Sequence, residues 1–446
     1  MRALSPGRLA VIAAGALAAR LAVVAATPGY RPVHDDASYA RVARALLIFG
    51  RYPRHRLPAG GWQAGAYRPP GWPGVLWATW RVTGRSLLAG RLVEAVIGAA
   101  AAVLVAVVAT QLFDPRTGLA AGLLAAFSPL ALAVGASLES ETLFTALVLS
   151  ATAAALAARN RGQLRWALAA GALAGLAALT RINGLLAIGA IAVLAVPAAS
   201  RGRARIVPAV AVVLVGLAVV APWTARNAAR LHAFVPVSTE TGNTLAGTYN
   251  VVSMHHGARW MEPRHTGAYR AIYRRYGGAK NDQELQRAVL RWVGHHPAYP
   301  LEVAAANTGR LLGLTGPAWA ALSLRTMSLA DGMRALLWAG VLVGWALAAA
   351  GMWTARRRGV PAGFWLLLAV VFVPIALVNS ELRLGAPAHA LALVFAGLTV
   401  ARLSESVRFP GRAPSLPLAA RRRPRRAAPP APAGPGGAAR PGHGGG

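Results

Sequence analysis

Long apolar runs alternate with short basic connectors along most of the chain. The runs have at least about 17 residues, the length at which an α-helix crosses the hydrocarbon core of a bilayer. The pattern therefore predicts an all-α integral membrane protein with about ten spanning helices, within a range of roughly 8 to 13. The predicted spans lie near residues 8–27, 88–113, 118–137, 141–158, 165–181, 184–200, 206–224, 331–353, 362–379 and 385–403.

The basic connectors predict the orientation of these helices. With the N-terminus (Arg2, Arg8) in the cytoplasm, every short basic connector is also cytoplasmic, as the positive-inside tendency requires. Residues 28–87 and 225–330 then form two large loops on the outer side. The connectors contain Arg116, Arg159, Arg161, Arg165, Arg201, Arg203, Arg205, Arg356, Arg357 and Arg358.

The first apolar run has a second interpretation as a cleaved signal peptide, because it has a basic start and ends in AARLAVVAAT. Arg20 interrupts the apolar stretch, however, and nothing downstream looks like a secreted domain. We favour an uncleaved anchor for this reason.

Three segments do not fit as spans. Residues 67–84 are apolar but short and broken by proline, which favours a re-entrant or interfacial helix with Trp at the level of the lipid headgroups. The loop 225–330 includes a weakly amphipathic stretch at 299–315. Residues 404–446 are rich in Arg, Pro and Gly, and we expect a disordered cytoplasmic tail there. The predicted organisation is one membrane domain over 1–403, followed by this tail.

Composition restricts the function further. The 47 Lys and Arg exceed the 14 Asp and Glu, but the arginines flank apolar runs and do not form one basic stripe. We therefore expect no nucleic-acid partner and assign many arginines to anionic lipid headgroups. The chain has no cysteine, so disulfides, thiolate nucleophiles and Cys-ligated metals are excluded.

The few acids concentrate near the outer ends of the predicted spans. Asp35 and Asp36 stand side by side just beyond the first span, and Glu141 begins the fourth. Arginines lie at the same level, and their forked donors match the oxygens of a phosphate. We expect these acids and arginines to converge on one outward-facing site for a phosphorylated lipid headgroup. The arginines are Arg68, Arg181, Arg226 and Arg383.

Each of these residues also has a purely structural interpretation. Acids favour the first turn of a helix, so Asp35, Asp36 and Glu141 could simply begin helices. Arg181 and Arg383 could be interface arginines that extend towards lipid headgroups.

Six short elements, in this order, resemble the GT-C superfamily of polytopic glycosyltransferases, specifically the glycosyltransferase family 39-like group of aminoarabinose transferases and protein O-mannosyltransferases. The resemblance spans about residues 8–403. This chain has Asp36 where the family usually has Glu, and it matches the last element only loosely. The elements are Asp35-Asp36-x-x-Tyr39, Arg68-Pro69-Pro70-Gly71, Ser128-Pro129-Leu130 through Glu141, Leu179-Thr180-Arg181 with Gly184, Pro222-Trp223 with Arg226-Asn227, and Glu381-Leu382-Arg383-Leu384.

The resemblance implies transfer of a sugar from a polyprenyl-phosphate donor to a hydroxyl of a glycan, lipid or protein, on the extracytoplasmic face of the cell membrane. We expect Asp35 to act as general base with inversion, and Asp36 to raise the pKa of one member of the pair unless a cation offsets it. Glu141 would assist the acceptor or help to hold a divalent cation, Mg²⁺ or Mn²⁺, although too few ligands are assured for a metal site. The expected substrate-binding residues are Tyr39, Arg68, Pro69, Arg181, Arg226, Asn227 and Arg383.

Two other classes of function also fit a membrane chain of this kind. A transporter or flippase of a lipid-linked sugar would place ionisable residues near the middle of the membrane and would often show paired halves. Glu94 is the main intramembrane acid here, and no paired halves are evident. A non-catalytic membrane scaffold would use the outer loops as a binding surface.

Overall fold

A computed structural model describes residues 3–58, 60–197, 205–408 and 442. Nearly all regular structure in these ranges is helical, which confirms the all-α prediction. The strands found there are β1 (Arg54–Arg56) and β2 (Trp62–Ala64), which form an antiparallel hairpin with Arg54 opposite Ala64 and Arg56 opposite Trp62.

Among the described residues, ten helices precede the second outer loop, and every predicted span in this part coincides with one or two of them. The helices are α1 (Pro6–Ala26), α2 (Asp35–Phe49), α3 (Gly71–Thr83), α4 (Leu87–Leu112), α5 (Pro115–Phe127), α6 (Pro129–Val134), α7 (Glu141–Arg161), α8 (Leu164–Thr180), α9 (Gly184–Ala195) and α10 (Val207–Leu231).

The second outer loop is itself helical, and three apolar helices follow it. The helices are α11 (Thr241–Thr248), α12 (Val251–His255), α13 (Gly267–Arg275), α14 (Gly278–His295), α15 (Tyr299–Leu311), α16 (Pro317–Thr326), α17 (Arg334–Ala355), α18 (Ala362–Ala376) and α19 (Ala386–Arg408). Three-residue and four-residue 3-10 turns lie at Pro263–His265, Asp331–Met333 and Leu382–Gly385.

Six apolar segments in the described ranges are long enough to cross a membrane. They correspond to α1, α4, α7, α10, α17 and α19, with the last two including the preceding 3-10 turns. The helices α8, α9 and α18 are also apolar but have only 17, 12 and 15 residues. The membrane class is thus confirmed, whereas ten spans remain a prediction.

For two predicted spans, the structure gives a physical reason why their boundaries differ. The span 118–137 is divided into α5 and α6 at Ser128-Pro129, because Pro129 has no N–H to continue the helix. The span 206–224 continues to Leu231, so the second outer loop begins about two turns later than expected. Trp223 supports the extra turns by donating from Nε1 to the carbonyl of Val237 at 2.7 Å.

Small residues allow α8 and α10 to pack closely. A Cβ at Gly171 would lie 2.7 Å from the carbonyl oxygen of Val212, and one at Gly175 would lie 2.6 Å from that of Gly216. The four-residue spacing of Gly171 and Gly175 places both on the face towards α10, as in other close membrane helix pairs. This contact positions the end of α8, where Arg181 follows.

We expect Gly175→Val to destabilise the protein by about 1–3 kcal/mol, because the added methyl groups force α8 away from α10. Thermal unfolding of the purified protein in detergent measures the effect. The matched control is Gly189→Val on α9, where a Cβ meets no atom within 4 Å. Equal melting temperatures for the two variants would contradict the close packing.

The chain divides into two compact units, Met1–Leu403 and Ser404–Gly446. In the second unit the structure describes only residues 404–408 and 442. The predicted disordered tail therefore lies almost entirely outside the described residues, as do Arg2, Arg201 and Arg203 of the predicted cytoplasmic side. The orientation in the membrane stays a prediction.

Candidate functional site

A cavity of about 690 Å³ lies where the first outer loop, the second outer loop and the ends of several apolar helices meet. Charged residues from five distant parts of the chain line it. Among them are Asp35 at the start of α2, Arg68 before α3, Arg181 after α8, Glu240 before α11, and Arg383 in the turn before α19. The structure therefore brings four of the predicted residues to one cavity: Asp35, Arg68, Arg181 and Arg383.

Asp36 determines how α2 begins. Its Oδ1 accepts hydrogen bonds from the backbone N–H groups of Val33 at 3.0 Å, His34 at 2.9 Å and Ala37 at 2.8 Å. Its Oδ2 accepts from the hydroxyl of Tyr30 at 2.7 Å. Asp36 is fully buried and does not line the cavity, so the structure does not bring this predicted catalytic residue to the site.

Asp35 faces the cavity and is clamped between two guanidinium groups. Its Oδ1 pairs with Arg68, and its Oδ2 lies 2.5 Å from Nη2 of Arg383, while a third of its side chain stays exposed. Burial favours the protonated form, but Arg68 and Arg383 outweigh it and hold the pKa of Asp35 well below its usual value. Cations thus offset any repulsion from Asp36, and Asp35 is ionised at neutral pH.

Arg383 is the centre of the charge network. Besides Asp35, it contacts Glu381 at 2.7 Å, Glu139 at 3.1 Å and Glu141 at 3.2 Å, and only 4% of its side chain is exposed. This geometry disfavours the interpretation of Arg383 as an arginine that extends to lipid headgroups. The 3-10 turn that carries it is held by the N–H of Leu382, which donates to the hydroxyl of Ser323 at 3.0 Å.

Glu141 lies at the start of α7, as both the structural and the functional interpretations required. It is fully buried and does not line the cavity itself. Its Oε1 is 2.9 Å from Nη1 of Arg181, which also donates to Ser140 at 3.0 Å. Ser140 in turn shares a hydrogen bond of 2.9 Å with the hydroxyl of Tyr39. Glu141 therefore contacts two arginines that line the cavity, Arg181 and Arg383, without lining it itself.

Arg68 lies at the other end of the network. Its Nε donates to the hydroxyl of Ser38 at 3.1 Å, and its Nη1 lies 3.4 Å from Oε2 of Glu240. The guanidinium also stands over the rings of Tyr39 at 4.8 Å and Tyr67 at 5.1 Å. Pro69, a predicted substrate-binding residue, follows directly and lines the cavity.

Arg226 and Asn227 lie elsewhere. Arg226 donates to the carbonyl of Gly65 at 3.0 Å and to Oδ1 of Asn227 at 2.9 Å, and it stacks on Tyr52 and Trp223. Asn227 is buried and donates to two backbone carbonyls in the loop after α10. Neither residue lines this cavity, so the structure does not bring this pair together with the other predicted binding residues.

Three acids that were not singled out as site residues belong to the network: Glu139, Glu240 and Glu381. Burial raises the pKa of Glu139 well above its usual value, although Arg383 opposes this. Burial also raises the pKa of Glu240, despite the nearby Arg68. The sequence offered a signal for two of these acids, because acids are scarce in this chain. Glu139 lies two residues before Glu141, and Glu381 lies two residues before Arg383.

Apolar residues also line the cavity. They come from the turn between α8 and α9, the first turn of α9 and the end of α18. The charged and apolar parts of the lining together suit an amphiphile with an anionic head and a hydrocarbon tail. The apolar lining residues are Ile182, Leu185, Leu186, Pro374, Ile375 and Val378.

The carboxylates do not form a ready metal site. Within residues 3–58, 60–197, 205–408 and 442, no group of three or more His, Asp or Glu side chains is placed to hold a metal ion. Five carboxylates instead surround the guanidinium groups of Arg68, Arg181 and Arg383. The observed chemistry is that of paired charges in a largely buried, amphiphilic cavity.

A known family model matches part of this chain. The family model of dolichyl-phosphate-mannose-protein mannosyltransferases matches residues 67–225. No curated protein sequence matches the chain.

Two solved structures support the fold. The Archaeoglobus fulgidus oligosaccharyltransferase in complex with Zn and sulfate has a TM-score of 0.54 and 15% identity, over 90% of this chain and 50% of that one. The oligosaccharyltransferase AglB of the same organism, with an inhibitory peptide and a dolichol-phosphate, has a TM-score of 0.51 and 15% identity, over 91% and 52%. The chain thus spans about half the length of these proteins.

A third solved structure is less similar in its coordinates. ArnT from Cupriavidus metallidurans bound to undecaprenyl phosphate has 17% identity over 91% of this chain and 80% of that one, but the TM-score is only 0.41. The family model and the oligosaccharyltransferase fold are sufficient to confirm the resemblance to the GT-C superfamily.

Proposed function

We propose that this protein is a membrane glycosyltransferase that moves a sugar from a polyprenyl-phosphate donor to the hydroxyl of an acceptor. The observation that carries the proposal is Asp35, a carboxylate with a third of its side chain exposed to the cavity, held between Arg68 and Arg383. A base and phosphate-binding cations thus lie next to each other, as transfer from a glycosyl phosphate requires.

In the proposed reaction, Asp35 takes the proton of the acceptor hydroxyl while the hydroxyl oxygen attacks the anomeric carbon. The bond between that carbon and the phosphate oxygen breaks, and its electron pair leaves on the polyprenyl phosphate. The anomeric configuration inverts because attack and departure occur on opposite faces of the sugar. Arg68, Arg181 and Arg383 stabilise the charge that develops on the phosphate.

The pairing of the arginines supports a further step in this proposal. Arg68 and Arg383 lower the pKa of Asp35 in the free protein, which makes it a weak base. A donor phosphate competes with Asp35 for the same guanidinium groups. Donor binding therefore weakens the clamp, raises the pKa of Asp35 and makes it a stronger base when the sugar is in place.

The apolar part of the cavity lining, around the α8–α9 turn and α18, provides room for the first isoprene units of the donor. The similarity to an oligosaccharyltransferase solved with a dolichol-phosphate supports this assignment. The cavity residues also lie at helix ends opposite the basic connectors. For example, α7 begins at Glu141 beside the cavity and ends at Arg161. The positive-inside tendency then favours a reaction on the extracytoplasmic face.

The direct test uses inside-out and right-side-out membrane vesicles that contain the protein and native acceptors. Each is supplied with radiolabelled polyprenyl-phosphate sugars, and both labelled product and released polyprenyl phosphate are measured. We expect transfer from one donor only where the outer face is accessible. Translocation of intact donor without cleavage of the glycosidic bond would replace the proposal with a transporter.

Donor affinity should fall as the pH rises through the raised pKa of Glu240. Protonated Glu240 releases Arg68 for the phosphate, whereas ionised Glu240 competes for Arg68 and repels the anion. The donor is a phosphodiester, so its own charge stays constant over this range. Titration calorimetry with donor and no acceptor measures the trend.

Glu240→Gln is the variant that isolates this effect, since it should bind donor about as tightly at high pH as the wild type does at low pH. Glu284→Gln, on α14 and outside the cavity, is the matched control. A pH dependence that survives Glu240→Gln would assign the effect to another group.

A further inference from the structure

A second groove, separate from the catalytic cavity, lies on α2 and the β-hairpin. Its volume is about 670 Å³. Four arginines and three exposed apolar side chains line it, and no acid is among the described residues of its lining. The arginines are Arg41, Arg44, Arg51 and Arg54, and the apolar residues are Ile48, Phe49 and Trp62.

The sequence places this chemistry on one face of α2. Arg41, Arg44 and Ile48 follow each other at spacings of three and four, so they form one exposed stripe. The helix ends at Gly50 in the left-handed region, and the chain then turns into the hairpin that presents Arg54 and Trp62. The groove is therefore lined by two successive elements, α2 and the hairpin.

The basic side chains have spare donors. In the described part of the chain, Arg41, Arg44 and Arg51 take part in no ion pair or side-chain hydrogen bond, and Arg54 donates only to the carbonyl of Trp62 at 3.5 Å. In the candidate catalytic cavity, in contrast, Arg68, Arg181 and Arg383 each pair with at least one carboxylate. An anion entering the groove would meet four cations without competition from a carboxylate of the described lining.

Tyr52 is a second, independent indication of a ligand. It lines the groove with only 7% of its surface exposed, and its buried hydroxyl has no hydrogen-bond partner among the described residues. The ring of Tyr52 packs against that of Trp223, with 4.9 Å between the ring centroids. The guanidinium carbon of Arg226 lies 5.4 Å from the centroid of the Tyr52 ring. The element Pro222-Trp223-x-x-Arg226-Asn227 thus supports the wall of this groove.

We propose that the groove binds the phosphate headgroup of an anionic phospholipid at the membrane surface. Ile48, Phe49 and Trp62 are 50%, 65% and 61% exposed, and arginine beside aromatic and aliphatic side chains is typical of the membrane interface. Only residues 27–34 separate α1 from α2, so α2 begins within roughly 30 Å of the end of a spanning helix. The lipid would hold α2, and with it Asp35, against the membrane.

The test is binding of phosphatidylglycerol to the full-length protein in phosphatidylcholine nanodiscs, measured by native mass spectrometry. The variant replaces all four groove arginines with Gln (Arg41→Gln, Arg44→Gln, Arg51→Gln, Arg54→Gln). We expect it to lose about tenfold in affinity for phosphatidylglycerol. The control removes the same charge from exposed sites on α13 and α14, outside both cavities: Arg270→Gln, Arg274→Gln, Arg275→Gln and Arg291→Gln.

The outcomes separate a lipid site from a net-charge effect and from a site for free anions. An equal loss in both quadruple variants would show a net-charge effect and overturn the proposal. Displacement of the lipid by millimolar inorganic phosphate would show a site for free anions instead. Quenching of tryptophan fluorescence by brominated phosphatidylglycerol should decrease in Trp62→Phe, and unchanged quenching would place the lipid elsewhere. Because all these residues are exposed, loss of folding is not expected, and the melting temperature checks this.

Discussion

Replacing Asp35 with Asn should lower kcat by about 10²–10⁴-fold, the usual contribution of a general base. The change keeps the size of the side chain but removes the carboxylate that lies at the cavity between Arg68 and Arg383. Transfer from the radiolabelled donor identified in the vesicle assay measures the effect.

Donor binding by this variant should be retained or become tighter, because the neutral amide no longer competes with the donor phosphate for the two arginines. This split between kcat and affinity distinguishes a base from a residue that only positions substrate. Asp331→Asn, in an exposed 3-10 turn outside the cavity, is the matched control and should behave as wild type. Full activity of Asp35→Asn would remove Asp35 from the chemistry.

The fold was largely predictable because membrane insertion imposes a strong and local rule. Apolar runs of spanning length must be helical, since the bilayer leaves no other partner for their backbone groups. Every predicted span therefore coincides with a helix. The division at Ser128-Pro129 and the extension of α10 to Leu231 depend on a missing N–H and on a tertiary hydrogen bond, which apolar length does not reveal.

The site was predictable in part, for a different reason. Asp35, Arg68, Arg181 and Arg383 stand out because charge is scarce and costly near the membrane. Asp36 and Arg226 have the same residue types and similar positions, yet they contact backbone groups and aromatic side chains away from the cavity. Side-chain direction decides between these outcomes. A step of one residue along α2 turns the carboxylate from the cavity, where Asp35 lies, to the buried turn that holds Asp36.

Arg383→Gln should cost about 3–5 kcal/mol of stability, because it leaves buried carboxylates without their shared cation. Arg383 contacts the carboxylates of Asp35, Glu139, Glu141 and Glu381, and only 4% of its side chain is exposed. Thermal unfolding in detergent measures the loss. Arg325→Gln, an exposed arginine at the end of α16, is the matched control and should melt near wild type.

The loss should depend on pH in a defined direction. Burial already raises the pKa of Glu139, and removal of Arg383 raises it further. Glu139 therefore takes up a proton more readily in the variant. The stability deficit of the variant relative to wild type should be smallest at low pH and should grow as the pH rises. Adding Glu139→Gln to Arg383→Gln removes one unpaired carboxylate and should recover part of the stability at high pH. A deficit that is independent of pH and not rescued by Glu139→Gln would mean that Arg383 acts through packing and not through charge.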